Sequence, residues 1–175
     1  MKGESSKILW VVLLFLFIGS NAFAQTGRFK LKTGWYQISA KPNAYPRKLE
    51  GTGDFYFLEG GPSILLSEIT ELNIYKNSYG MYCLKMKLDS AGQLSWNKLL
   101  QVEKDNKLAF VVKNRLLYCP YVNGQIVAGL VEINRGDFNV KKLKKIKKAI
   151  LDEKKEDERK LKELMKKAMK EGKAK

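Results

Sequence analysis

Histidine is absent from the 175-residue chain, cysteine occurs twice and proline four times. Without histidine the commonest general base and the commonest metal ligand are missing, so any triad or zinc site built on it is excluded. Two cysteines cannot build a disulfide scaffold, and they are too few for an all-cysteine zinc site. Acidic residues are also scarce, 18 against 33 lysines and arginines, which leaves a formal net charge of +15. No cofactor fingerprint appears: Gly51-Thr52-Gly53 lacks the third glycine, or the Lys-Ser/Thr, that would make it a phosphate cradle. Asp54, Glu59, Glu68 and Glu71 are close in sequence, but nothing in their spacing sets two carboxylates across a cleft. The sequence therefore reads as that of a non-enzyme without a cofactor.

What is present suits a folded chain. At 45% hydrophobic and 11% aromatic it can bury a core, and its length fits one domain with appendages. The positive excess is unevenly placed: +1 over residues 1–24, +5 over 25–140 and +9 over 141–175. Most of it belongs to a C-terminal appendage, which argues against a nucleic-acid partner for the globular part.

The N-terminus reads as an export signal. Lys2 and Lys7 precede the apolar run Ile8–Gly19, which is shorter than the roughly 20 residues of a membrane-spanning helix. Ala22-Phe23-Ala24 then offers a cleavage site, so the mature chain is expected to begin at Gln25 and to be periplasmic or secreted. No cysteine follows the run, against a lipoprotein.

Gly34–Ile38 is strand-like, and a Pro- and Gly-punctuated link follows through Pro42, Pro46, Gly51 and Gly53. Asp54–Glu59 reads as an aromatic strand closed by Gly60-Gly61-Pro62, and Ser67 as the cap of a short helix through Leu72. Tyr82, Leu84, Met86 and Leu88 alternate with Cys83, Lys85 and Lys87, the period of a half-buried strand. Asp89-Ser90 opens a helix with Trp96, Leu99 and Leu100 on one face, and Gly92 on that stripe predicts a close approach to a sheet. Asn106 ends it. Leu108–Lys113, a turn at Asn114-Arg115, Leu116–Val122, a turn at Asn123-Gly124 and Gln125–Ile133 follow as strands and hairpins. Asn139 caps a last helix with Val140, Leu143, Ile146 and Ile150 on one side. The order predicts an α+β fold: an antiparallel sheet with helices on one face, plus a charged C-terminal helical extension. The expected divisions are a signal peptide (1–24), an N-terminal strand and linker (25–53), the α+β domain (54–150), and a helical or disordered tail (151–175).

Cys83 and Cys119 fall on two predicted strands and can bridge only if their Cα atoms come within about 7 Å. Most of Tyr56, Phe57, Tyr82, Tyr118 and Tyr121 are expected in the core, whereas Trp35 and Tyr36, before the link, have the best claim to partial exposure. In the tail, Lys154 and Lys155 precede the apolar cluster Leu161, Leu164, Met165, Ala168 and Met169. That amphipathic stretch suits an anionic membrane surface or a partner helix; the alternative is a solvated, frayed extension.

With these elements in place, residues 54–150 resemble the head subdomain of the first periplasmic domain of SecD/SecDF, the export-assisting component of the bacterial Sec translocon. The stretches that carry the resemblance are Phe55–Ile69, Leu84–Trp96 and, best, Lys107–Ile133 with its Lys-Leu-Ala start and Pro120. Ile126, Gly129, Ile133 and Phe138 follow where the family has them. Asn106 stands where the family has glycine, and Cys119 where it has a small residue before the proline. The family's membrane helices have no counterpart here, so the resemblance implies a free-standing head that contacts polypeptide, or a membrane-protein partner, without a motor. The edge expected to hold a chain is Leu116–Val122, with Tyr118, Pro120 and Tyr121, because proline without an N–H is confined mainly to edge strands. The second role the sequence suggests is an envelope protein tethered to a membrane surface by its basic tail.

Overall fold

Leu108–Val112, Leu-Ala-Phe-Val-Val, is a continuous apolar run rather than an alternating one, the pattern of a strand covered on both faces. In the computed structural model all five of its residues are buried. The structure describes residues 29–41, 44–102, 107–122 and 129–172. The signal segment 1–24, Pro42, the Asn106 stop, the Asn123-Gly124 turn and the start of the strand predicted over 125–133 lie outside the described residues. Leu31–Lys175 forms one compact unit, the one described below.

Among the described residues nine strands and two α-helices follow one another: β1 (Gly34–Gln37), β2 (Tyr45–Lys48), β3 (Phe55–Leu58), β4 (Ile64–Leu65), β5 (Ile69–Lys76), β6 (Tyr82–Leu88), α1 (Ser90–Val102), β7 (Leu108–Val112), β8 (Arg115–Tyr118), β9 (Leu130–Ile133) and α2 (Val140–Gly172). The strands form a four-stranded sheet in the order β4-β1-β7-β8, a three-stranded sheet β5-β6-β9, and the hairpin β2-β3. All of these pairings are antiparallel. The α+β class is as the sequence predicts.

The four-stranded sheet is the middle layer. One of its faces, with Trp35 and Phe110, joins β6, both helices and Phe138 in the main core. Its other face, with Tyr36, Ala109, Val111 and Leu116, is covered by Leu49, Leu58 and the hairpin in a second core. Trp35 and Tyr36 are both 0% exposed, which overturns the expectation of exposure. The reason is topological: β1 lies between β4 and β7, so its two faces point into the two cores. The aromatics expected inside divide differently. Phe57 and Tyr121 are 50% and 66% exposed and Tyr82 is 39%, while Tyr56 and Tyr118 are half-buried.

Residues 45–48, read as link, form β2, and the helix expected from Ser67 is only a 3-10 turn, Leu66–Glu68, leading into β5. Ile69-Thr70 and Ile74-Tyr75 supply the β-branched and aromatic residues a pleated strand favours, which two apolar residues at helical spacing do not outweigh. Two other readings hold. Asp89 Oδ1 accepts from the Gly92 amide at 2.8 Å and caps α1. A Cβ at Gly92 would stand 3.1 Å from that of Glu68 and 3.2 Å from that of Leu88, the close approach the glycine predicts. The β7–β8 turn is at Lys113-Asn114, one residue earlier than expected, with φ of +47° and +68°. Both central residues are thus left-handed, matching the twist of the flanking strands.

Asn139 Oδ1 accepts from the Lys142 amide at 2.9 Å and caps α2. The helix then continues without a break for 33 residues, about 50 Å at 1.5 Å per residue. Leu143, Ile146 and Ile150 seat its first half in the core. Its docking extends past residue 150. The Glu153 carboxylate accepts from the Thr33 amide at 3.0 Å and from the Thr33 hydroxyl at 2.5 Å, and Lys154 Nζ donates to the Ile69 carbonyl at 2.6 Å. Beyond them the helix overhangs: Leu161, Leu164, Met165 and Met169 are each more than half exposed.

Candidate functional site

At the predicted edge, β8 is the last strand of its sheet. Its outer side is occupied, however. Leu116 O accepts from the Glu50 amide at 2.9 Å, and Arg135 Nη1 donates to Leu117 O at 2.8 Å and to Glu50 O at 2.6 Å. Asp137 fixes that guanidinium with contacts of 2.8 and 3.0 Å. Pro120 lies just past the strand, where its carbonyl accepts from the Leu108 amide at 3.3 Å. Tyr118 turns inward, its ring edge-on to Trp35 at 6.4 Å and its hydroxyl donating to Asn134 Oδ1, and burial raises its pKa. Tyr121 turns out, under Lys107 Nζ at 4.3 Å. The two tyrosines do not form one strip, and the carbonyls a guest strand would use at Leu116 and Leu117 are taken.

The cysteines do not meet either. Both thiols are free: Cys83 lies on β6 of the three-stranded sheet, and Cys119 just past the end of β8 of the four-stranded one. Cys83 is wholly buried in β6, and burial raises its pKa, with the Glu132 carboxylate adding to the effect. Beside it the Tyr75 hydroxyl donates to Glu132 Oε1 at 2.5 Å, a bond that raises the tyrosine pKa. Cys119, beyond β8, is pushed up to about 11, mainly by burial. Thiols held protonated in this way are poor nucleophiles. Among the described residues no group of three acidic or cysteine side chains is placed to hold a metal ion.

The feature that gathers exposed apolar groups lies elsewhere, where α2 leaves the body. A cleft of about 720 Å³ opens between the distal half of α2 and the segment Pro62–Ser67. Leu65 and Leu66 line it from the β4 side, Leu161 and Leu164 from the helix. Leu65, Leu161 and Leu164 are 47%, 59% and 65% exposed, so the apolar lining is open to solvent rather than shut in a cavity. Lys32, Lys160, Asp157 and Glu158 form a rim of both signs. The sequence signals half of this site, since Leu161 and Leu164 sit in the flagged tail cluster. The other half, Leu65 on a two-residue strand, has no periodicity to betray it.

Three local features hold the cleft open. The Glu68 carboxylate accepts from the Leu65 amide at 2.6 Å and fixes the strand-to-turn corner. The Glu153–Thr33 and Lys154–Ile69 bonds set the point where the helix separates from the body. Gly34 lets β4 lie close to β1: a Cβ there would stand 2.6 Å from Ile64 O and 2.7 Å from Pro62 Cβ. The site offers apolar contact and charged hydrogen-bonding groups, the equipment of binding.

No helix among the described residues is long and apolar enough to cross a membrane. No family model and no curated protein matches the chain. Solved structures do. The chain is similar to the crystal structure of SecDF in a super-membrane-facing form, with a TM-score of 0.53 and 14% identity over 67% of this chain and 18% of that one. It is also similar to a second SecDF structure, described as a membrane component that enhances protein export, with a TM-score of 0.53 and 11% identity over 75% of this chain and 66% of that one. The chain thus spans about a fifth of the first and about two thirds of the second. At these identities the likeness is one of fold, and the fold of this chain is SecD-like.

Proposed function

We propose that this chain is a non-catalytic binding module of protein export, working outside the cytoplasm, that holds an extended, apolar-rich polypeptide in the cleft between β4 and the distal half of α2. The observation that carries this reading is the convergence of three solvent-exposed leucines, Leu65, Leu161 and Leu164, on one open cleft of about 720 Å³. Exposed apolar groups gathered in a concave place mark interaction sites, whereas scattered ones do not. The rim carries both signs of charge, so it selects no strongly charged guest, and a passing polypeptide is recognised by its apolar side chains. The SecD-like fold supports the export setting, because one of the similar structures is of a component described as enhancing protein export. The cleft replaces the β8 edge as the preferred site, since two of that strand's outer carbonyls are already bonded.

The test is binding of a reduced, alkylated, permanently unfolded polypeptide to the purified chain. Weak binding is expected, with a Kd on the order of 0.1 mM for so small an apolar contact. Leu161→Asp with Leu164→Asp should weaken it by about tenfold or more and leave the melting temperature unchanged, because both side chains are exposed. Tyr121→Ala should leave it as it is. No binding by the wild type, or equal binding by the leucine variant, rules the cleft out.

A further inference from the structure

The side of α2 turned away from the body carries a segregated row of positive charge. Running along the helix through Lys141, Lys144, Lys148, Lys155, Arg159 and Lys162 to Lys166 and Lys170, basic residues fall within an arc of about 80° at 100° per residue. Asp152 is the one acidic residue inside that arc. The row is about 43 Å long at 1.5 Å per residue, and every member is exposed. None of them forms an ion pair among the described residues. Other charges of the helix are engaged elsewhere: Glu153 faces Thr33, Glu156 pairs with Lys160 at 2.7 Å, and Lys142 reaches Glu50 at 3.3 Å.

We propose that this row is an attachment surface for an anionic lipid bilayer, on which α2 lies lengthwise with the body and the cleft facing away. Charge complementarity and shape both suit a bilayer. A straight row on one helix presents all its charges at once to a flat field of headgroups. Such a field attracts juxtaposed lysines and arginines and fades within a Debye length. A curved duplex would meet only part of the row, and no Asn, Gln, Ser, Thr or aromatic side chain lies within the row to order a phosphate backbone or read a base. The apolar stripe with Leu161 and Leu164 is on the opposite side, so attachment involves no deep insertion. The row is on the opposite face of α2 from the cleft, so attachment is independent of polypeptide holding.

The experiment is co-sedimentation of the chain from Gln25 onward, which contains the whole compact unit, with two kinds of vesicle. One is made of phosphatidylglycerol and phosphatidylcholine in about equal parts, the other of phosphatidylcholine alone. The expected result in low salt is partitioning at least about 100-fold stronger onto the anionic vesicles, abolished by salt near 0.5 M. Lys144→Glu, Lys148→Glu, Lys155→Glu and Lys162→Glu together should reduce it by about 100-fold with the melting temperature kept, and the same four changed to Gln provide a milder set should the first fold poorly. Lys98→Glu with Lys167→Glu, exposed but off the row, should retain it. Equal binding to neutral vesicles, retention by both row variants, or equal loss in the off-row control overturns the proposal. So does a mixed-sequence DNA duplex that binds as tightly and displaces the vesicles, since the row would then be a general polyanion site.

Discussion

Gly34 shows how one missing side chain positions an element. The atoms a Cβ would meet are a backbone oxygen and a proline ring carbon, and neither can swing aside as a flexible side chain could. Gly34→Ala should therefore force β4 off β1 and cost about 1–3 kcal/mol, as overpacking does, read as a lowered denaturant midpoint with an unchanged slope. A midpoint equal to wild type would show that β4 has room to move.

Buried titratable groups set a second expectation at the residue scale. The Tyr36 pKa is pushed up to about 12, first by burial and then by the nearby Glu153 carboxylate, and that of Cys119 to about 11, first by burial. Both lie above their ordinary values near 10 and 9, so the unfolded chain gives up these protons at lower pH than the folded one does. The stability they contribute is complete below pH 9 and is lost as pH rises toward 12. For Tyr36, which is fully buried, the loss is on the order of 2 kcal/mol. Melting temperatures taken from pH 8 upward should stay level to about pH 9 and then fall, and Tyr36→Phe should flatten part of that fall. A level profile up to pH 12 would be incompatible with it.

At the scale of elements, α2 is one helix with two occupations. Its capped first half is core, its overhanging second half is surface, and the junction is a pair of polar anchors rather than an apolar seam. Removal of 151–175 takes away the Glu153 and Lys154 bonds and leaves the buried Thr33 amide and the Ile69 carbonyl without those partners. A loss of about 1–3 kcal/mol is expected for each group so orphaned. A cut after Arg159 keeps both anchors and should leave the melting temperature unchanged while abolishing polypeptide binding, because Leu161 and Leu164 go with it. Equal stability of the two truncations would show that the anchors contribute nothing.

For the whole molecule, sequence by itself determined those features that depend on neighbours along the chain. Asp89 and Asn139 cap helices because a side-chain oxygen reaches an amide three residues on, a contact any chain with that local order can make. The run Leu108–Val112 declared a strand covered on both sides, and the alternation Leu84-Met86-Leu88 a strand covered on one. The stripe Leu143-Ile146-Ile150 declared a docked helix, and the α+β class followed from the order of these pieces. Tertiary structure decided what depends on partners distant in sequence. Trp35 and Tyr36 look like a short aromatic strand before a link, yet pairing with β7, more than 70 residues on, puts both in cores. Whether β8 offers an open edge depended on Glu50 and Arg135, which reach it from opposite directions along the chain. The cleft needed Leu65 and Leu161 on one surface, nearly 100 residues apart, and no local pattern encodes that meeting. Local hydrogen bonds and periodicity are written within a few residues, whereas exposure is a property of what the rest of the chain leaves uncovered.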